Sequence, residues 1–354
     1  MKIKVLQENF YKTLSMVGRC VDSRATLPIL SNVLLQVVDG RLKMTGTNTE
    51  MTTEAYCGAE ILEEGEITIP NKILTEVVAS MKTEKMEIAV EPGKTNIKIT
   101  AGKFTAEVMG QGVEEWPKME VGSSKLEVGE ETEIEKEIFE EIVNKITFAA
   151  ATDESRPQLT GVLFCTTEEG TDIVATDGYR LAKIKNQKSK IKIIAKNGKE
   201  KQQYLIPAKA ISEAGKIWGE EKGVKMALTE NGVRFIFDDA ILTTRILEGK
   251  YPEYQKVVPT ETTNKTTVAK EDLLEGVRAA GIMARDSANI IRLKAQGSRL
   301  KVTANTPQVG SQEVEIDIIK KEGEEWEIAF NYRFVLDFLV ASKAEKIIIG
   351  INEA

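Results

Sequence analysis

The 354-residue chain contains no histidine. That absence removes Ser-His-Asp and Cys-His nucleophile systems and every histidine-ligated zinc or iron site, so catalysis would have to rest on carboxylates, lysines or a bound metal. Cysteine is scarce as well. Cys20, Cys57 and Cys165 are widely spaced in no metal or redox pattern, which reads as small buried hydrophobes in a reducing compartment. No apolar run approaches membrane-spanning length, and the N-terminus opens on alternating Met1-Lys2-Ile3-Lys4-Val5 in place of a basic region followed by an apolar stretch. Both features predict a cytoplasmic protein with no membrane contact. Positive charge is not in excess either: the net charge of −7 and pI near 5.2 argue against an ordinary nucleic-acid binder. Screening confines fields to about 10 Å at modest salt, however, so local arrangement matters more than the total. With 42% hydrophobic and 29% charged residues, the chain reads as soluble and globular, and long enough for two or three domains.

What the chain does have is a long repeat. The apolar triplets Val33-Leu34-Leu35, Val162-Leu163-Phe164 and Ile291-Arg292-Leu293 recur at equal steps. The segments after them keep that step without a gap: Leu42-Lys43-Met44-Thr45-Gly46-Thr47-Asn48, Thr171-Asp172-Ile173-Val174-Ala175-Thr176-Asp177 and Leu300-Lys301-Val302-Thr303-Ala304-Asn305-Thr306. Each copy then has a strand running into a helix start, at Ile69-Pro70-Asn71, Ile206-Pro207-Ala208 and Phe330-Asn331. Apolar stripes follow, with Ile73, Leu74, Val77, Val78 and Met81 in the first, Ala210, Ile211, Ala214 and Trp218 in the second, and Phe334, Val335, Phe338 and Leu339 in the third. The first two copies also close alike, on Trp116-Pro117 and Tyr251-Pro252. Chance likeness among β-rich segments accounts for one such match but not for the ordered set, and a period this long makes each copy domain-sized.

The middle copy carries the most distinctive stretch, Val174-Ala175-Thr176-Asp177-Gly178-Tyr179-Arg180-Leu181-Ala182, which predicts a strand, a tight turn and a returning strand. Amphipathic helices open the copies, with Phe10, Leu14 and Val17, then Phe139, Val143 and Ile146, then Leu273, Leu274 and Val277 facing inward. The six predicted helices, two per copy, carry cations on their polar sides, among them Lys12, Lys72, Lys82, Lys145, Lys209, Lys216, Arg278, Arg333 and Lys343. Much of the acid lies elsewhere, including the glutamate cluster Glu127 to Glu137. A basic lining inside an acidic shell is therefore possible, though a lysine on a solvated helix needs no ligand. The lysine-rich segment from Lys183 to Lys201, with Asn197-Gly198 at its centre, reads as a hairpin with one solvated face or as a DNA contact.

These segments resemble the beta subunits of bacterial DNA polymerase III, the sliding clamps. The resemblance spans the chain: Arg24-Ala25-Thr26-Leu27-Pro28-Ile29-Leu30, the Thr-Asp-Gly-Tyr-Arg-Leu stretch, Thr244-Arg245-Ile246-Leu247-Glu248-Gly249-Lys250-Tyr251-Pro252-Glu253-Tyr254 and Phe330-Asn331-Tyr332. It implies an α+β fold of three repeated clamp domains (1–121, 126–259 and 264–354), each with antiparallel sheets outside and two helices facing a central channel. It implies a head-to-tail homodimeric ring around duplex DNA, sequence-independent, with no enzyme activity and no cofactor or metal. The ring tethers the polymerase catalytic subunit, the clamp loader and other proteins bearing a clamp-binding motif. Arg24 falls where a loop arginine touches DNA, whereas the matching loop of copy two carries Asp153 and Glu154, which leaves that contact open. A partner-peptide pocket would be lined by Leu159, Thr176, Gly178, Tyr179, Arg180, Leu181, Pro252, Lys256, Val257 and Phe334. Ile73, Phe104, Ile282 and Met283 match apolar positions of the subunit junction, where the strand from Ser311 to Ile316 would pair with that of Phe104. Family members run past Ala354 through a last strand pair and a short tail that walls the pocket, so the third domain is expected to be incomplete.

Two other readings compete. A metal-dependent enzyme would use Asp177 with Asp153 or Asp172, but a hard cation needs several converging oxygens and no close acidic triad supplies them. A repeat scaffold binding protein partners without a DNA role would suit the acidic pI.

Overall fold

A computed structural model of the chain describes residues 1–21, 27–91, 93–117, 131–168, 170–186, 203–219, 223–228, 232–286, 288–307 and 310–352. The chain divides into two compact units, Met1–Gly249 and Lys250–Ala354. The first unit holds two copies of the repeat and the second holds the third.

Copy one runs β1 (Lys2–Leu6), α1 (Gln7–Val17), β2 (Asn32–Val38), β3 (Arg41–Thr47), β4 (Met51–Cys57), β5 (Ala59–Glu63), β6 (Glu66–Pro70), α2 (Asn71–Ser80), β7 (Lys85–Val90), β8 (Asn96–Ala101) and β9 (Phe104–Met109). Copy two repeats the order as β10 (Thr132–Glu135), α3 (Lys136–Lys145), β11 (Gly161–Thr167), β12 (Gly170–Thr176), β13 (Leu181–Asn186), β14 (Gln203–Pro207), α4 (Ala208–Trp218), β15 (Gly223–Leu228), β16 (Gly232–Ile236) and β17 (Ala240–Arg245). Copy three gives β18 (Asn264–Ala269), α5 (Lys270–Ala284), β19 (Ile290–Gln296), β20 (Arg299–Thr306), β21 (Gly310–Glu322), β22 (Trp326–Asn331), α6 (Tyr332–Ala341) and β23 (Lys346–Ile351).

The repeat is visible in how the second helix of each copy starts. Pro70 and Pro207 end β6 and β14 and stand immediately before α2 and α4, because proline has no N–H to continue a ladder. In copy three Asn331 takes that place, and its side-chain oxygen accepts the Arg333 N–H at 3.0 Å, a side-chain cap where the other copies have none.

All strand pairing among the described residues is antiparallel. The first unit contains a sheet in the order β5-β1-β7-β8-β9, another in the order β13-β12-β11-β14, and an eight-stranded sheet β10-β15-β16-β17-β4-β3-β2-β6. That large sheet is continuous across the two copies. Its junction is β17 on β4, in the register Ala240↔Ala55, Ile241↔Glu54, Leu242↔Thr53, Thr243↔Thr52 and Thr244↔Met51. Ladder bonding and one shared hydrophobic cluster explain why copies one and two form a single compact unit. The second unit is one six-stranded sheet, β22-β19-β20-β21-β18-β23, with its own core.

Helix faces follow the apolar stripes unevenly. Phe10, Leu14 and Val17 of α1 are fully buried, as are Ala210, Ile211 and Ala214 of α4. On α2, Leu74 and Val78 are buried, as is Met81 just after it, but Ile73 is 50% exposed. On α6 only Leu339 of the predicted stripe is buried; Phe338 is 46% exposed and Phe334 and Val335 are half-buried. Periodicity marks which face is apolar, but only the neighbouring elements determine how much of it is covered. The lysine run beyond Lys185, the Asn197-Gly198 turn, Arg24 and the first part of the glutamate cluster lie outside the described residues. Among the described residues, no helix is long and apolar enough to cross a membrane.

Candidate partner-peptide site and nucleic-acid interface

The Thr-Asp-Gly stretch forms the expected hairpin. β12 and β13 pair from Thr171↔Asn186 to Thr176↔Leu181, and residues 177–180 make the connection. Side chains close it. The Thr176 hydroxyl donates to the Arg180 carbonyl at 2.6 Å and accepts the Gly178 N–H at 3.0 Å, while Asp177 Oδ1 accepts the N–H groups of Tyr179 and Arg180 at 2.8 and 3.0 Å. Such local side-chain bonds hold a turn that backbone pairing alone leaves open. Gly178 has φ of +93°, which favours glycine, and a Cβ there would stand 3.1 Å from the Arg156 guanidinium.

Arg180 is tied down at both ends. Its Nε donates to Asp177 Oδ2 at 3.0 Å, its Nη2 donates to the Phe148 carbonyl at 2.6 Å, and its guanidinium lies 5.3 Å from the Phe148 ring centroid. Arg156 adds a bond from Nη2 to the Asp177 carbonyl at 3.2 Å. Neither Arg156 nor Phe148 was singled out in the sequence, because both are distant in the chain and neither lies in a repeated motif. Leu159, in the short 3-10 turn Pro157–Thr160, is buried, and its carbonyl accepts the Ala151 N–H at 2.8 Å. Tyr179 is 82% exposed, and Leu181 is half-buried. A rigid loop thus presents one large aromatic side chain to solvent.

The remaining predicted pocket residues belong to the second unit. Pro252 is exposed, Lys256 pairs with Glu253 in the 3-10 turn Tyr254–Lys256, and Val257 is 70% exposed. Phe334 sits half-buried near the start of α6.

The carboxylates proposed for metal chemistry are otherwise engaged. Asp177 is committed to its turn and to Arg180. Asp172 bonds Lys183 at 2.8 Å, and Asp153 accepts the Ser155 hydroxyl and N–H, which hold its carboxyl below the usual range. Among the described residues, no group of three or more Cys, Asp or Glu side chains could hold a metal ion.

The predicted helix cations fall into two kinds. Lys12 on α1, Lys72 on α2, Lys82 just after it, Lys209 on α4 and Arg278 on α5 are exposed. Lys145 is bonded to Glu141 at 2.5 Å and Lys216 to Glu213 at 2.6 Å, each within its own helix. Glu213 also meets Arg19 at 3.5 Å. Of the predicted junction residues, Ile73 and Ile282 are 50% and 55% exposed, Phe104 is 36% exposed on the end strand β9, and Met283 packs partly against the second core.

Comparisons with known proteins cover the whole chain. Family models match in order: the N-terminal domain of the DNA polymerase III beta subunit over residues 1–120, the central domain over 133–253 and the C-terminal domain over 255–354. The beta sliding clamp of Chlamydia pneumoniae is 27% identical over 354 residues, covering 100% of this chain and 93% of the relative. That of Halalkalibacterium halodurans is 29% identical over 358 residues, covering 98% and 91%. Among solved structures, the sliding clamp of Bartonella birtlesii superposes with a TM-score of 0.90 at 25% identity, and the beta subunit of Pseudomonas aeruginosa with 0.87 at 26%; each comparison covers 100% of this chain and 93% of the other. Three domains of one protein in their proper order, on an α+β fold whose described residues form antiparallel sheets and six α-helices, decide the matter: the chain belongs to the DNA polymerase III beta subunits, the beta sliding clamps, which are non-catalytic processivity factors of DNA replication.

Proposed function

We propose that two copies of this chain close head to tail into a ring around duplex DNA and tether the replicative polymerase, the clamp loader and other motif-bearing partners. The observation that carries this reading is the β4–β17 junction between copies one and two. The repeat predicts a second junction of the same kind. β9 is the counterpart of β17 and ends its sheet. The counterpart of β4 is the first half of β21, which pairs with β20 from Gly310 to Asp317; pairing of β21 with β18 begins only at Ile318. Among the described residues β9 offers a donor strand and the first half of β21 an accepting edge, and a second chain supplies the match for both.

The hairpin turns and ladders of the β4–β17 junction support one register for this second junction. Ala240 corresponds to Phe104 and Glu54 to Glu313, so Phe104 faces Val314, Thr105 faces Glu313, Ala106 faces Gln312 and Glu107 faces Ser311. Exposed Ile73, Phe104 and Ile282 supply apolar surface for such a junction. Inside the ring, Lys12, Lys72, Lys82, Lys209 and Arg278, together with Arg24, centre the duplex through its phosphates, which carry no sequence information. Few cations are needed. Topological linkage makes dissociation slow while weak phosphate attraction lets the ring slide. Tyr179, exposed on its closed turn, receives the anchor side chains of partner peptides.

Sedimentation equilibrium tests the ring, and a dimer at micromolar concentration is the expected result. Loading onto nicked circular DNA followed by release on linearisation tests encirclement; retention on linear DNA, or a chain that stays monomeric, overturns the reading. A scaffold that binds only protein partners would dimerise without ever being retained on the circle.

A further inference from the structure

Glu213 stands where two cations meet. Its Oε1 accepts from Lys216 Nζ at 2.6 Å on the same helix, and its Oε2 lies 3.5 Å from Arg19 Nη1 across the seam between copies one and two. Arg19 belongs to the 3-10 turn Gly18–Cys20 that follows α1. The Glu213 side chain is only 14% exposed, against 45% for Glu141 in its pair with Lys145. That difference decides which pair holds. An exposed i,i+4 pair contributes little and opens readily, whereas a carboxylate largely removed from water is costly to leave unpaired and keeps its cations.

The acid is part of the repeat, and the arginine is not. Counting from the residue that ends the preceding strand, Pro70, Pro207 or Asn331, each second helix has a cation at the second place and an acid four residues later: Lys72 and Glu76, Lys209 and Glu213, Arg333 and Asp337. Counting likewise from the ends of β1, β10 and β18, the place of Arg19 is taken by Phe148 in copy two and by Ile282 in copy three. Of these three residues only Arg19 can form an ion pair.

On α4 the residues Lys209, Glu213 and Lys216 follow at i, i+4 and i+7, so they share one polar stripe, away from buried Ala210, Ile211 and Ala214. The thiol of Cys20, beside Arg19, reports the same cluster: burial raises it, Glu213 raises it further, and Lys209 and Arg19 lower it. A phosphate that drew Arg19 or Lys216 away would stand next to a largely covered carboxylate, and like charges repel more strongly where water is excluded.

We propose that Glu213 limits the charge of the channel wall: it withholds Arg19 and Lys216 from the duplex and sets its own negative charge against any phosphate that approaches them. The inference rests on the encircling ring proposed above and names the residue that keeps its grip loose. Each phosphate neutralised adds counterion release, so two more contacts would make the ring cling where it has to slide.

Glu213→Gln in the full-length chain removes the charge and keeps the shape. For association with a short DNA duplex, the slope of log affinity against log salt steepens by about 0.9 to 1.8, the value of one or two phosphates. Sliding of loaded rings on stretched DNA slows severalfold at low salt and recovers at high salt. Arg19→Ala or Lys216→Ala, added to Glu213→Gln, each takes back about 0.9 of the slope, and each has a smaller effect in the unaltered chain. Glu141→Gln, at the exposed pair, leaves the slope nearly as it was. An unchanged slope in Glu213→Gln with a lowered melting temperature makes the residue a pin between copies one and two and overturns the proposal, although the ring stands. Equal steepening in Glu141→Gln also overturns it, since net charge alone would then explain the effect. An unaltered chain never retained on nicked circular DNA overturns the ring reading and this inference together.

Discussion

Arg180 Nε donates to Asp177 Oδ2 at 3.0 Å while Oδ1 of the same carboxylate accepts the Tyr179 and Arg180 N–H groups. One side chain therefore fixes both the backbone of the turn and the direction of its arginine. Asp177→Ala should cost about 1.5–3 kcal/mol of stability, the range for hydrogen bonds to a charged group, and should weaken partner-peptide binding as the loop loosens. Urea denaturation and peptide titration measure the two effects. Unchanged values for both would show that Asp177 is dispensable to the turn.

Tyr179 lies on that turn with 82% of its surface exposed, so it contributes little to folding. Tyr179→Ala should leave stability within about 0.5 kcal/mol and should lower affinity for a clamp-binding peptide by about tenfold or more, since truncated aromatic anchors commonly cost over 1 kcal/mol. Isothermal titration beside a melting curve separates these effects. A matching loss in both would place Tyr179 in the fold rather than at a binding surface.

Phe104 extends from an end strand and is part exposed. Phe104→Asp should convert a dimer to a monomer without lowering the unfolding midpoint of the monomer. Desolvating a carboxylate against Val314 costs more than the apolar contact it replaces. Sedimentation velocity gives the answer, and a dimer of undiminished strength removes Phe104 from the junction.

Lys12 is exposed, whereas Lys216 is already bonded to Glu213 at 2.6 Å. Each phosphate contact contributes a slope of about −0.9 to the dependence of log affinity on log salt. Lys12→Ala should reduce the slope for DNA association by about that amount, and Lys216→Ala by less. Equal slopes for all three proteins would take Lys12 away from the duplex.

Cys20 and Cys57 are buried, and burial pushes both thiols up to about 11. Cys20 also bonds the Thr53 hydroxyl at 3.0 Å. Folded-state values above the ordinary value mean that the native state keeps these protons longer than the unfolded chain. Their contribution to stability is fully present below about pH 9 and is lost as pH rises toward 11. Neither thiol should react with a maleimide at pH 8 in the native protein, while both should in urea. Rapid native labelling would contradict their burial.

Much of this architecture was legible in the chain itself. Equal spacing of Val33, Val162 and Ile291 revealed three copies, and strand, turn and helix placement followed, because alternation and helical periodicity are local properties of a sequence. The Thr-Asp-Gly turn was legible for the same reason: its residue types encode both the positive φ of Gly178 and the side-chain bonds that close it. Exposure of Ile73 was harder to read, since it shares an apolar stripe with buried Leu74 and Val78.

The sequence alone therefore determined the repeat, the secondary structure and the absence of histidine chemistry, all of which depend on residue identity and spacing. Only tertiary structure decided that β17 joins β4, that Arg156 and Phe148 hold the loop of Asp177 and Arg180, and that Lys145 and Lys216 pair with glutamates on their own helices. Those facts concern groups far apart in sequence, or side-chain rotamers within one helix, and both are set by packing and charge in three dimensions that no linear pattern encodes.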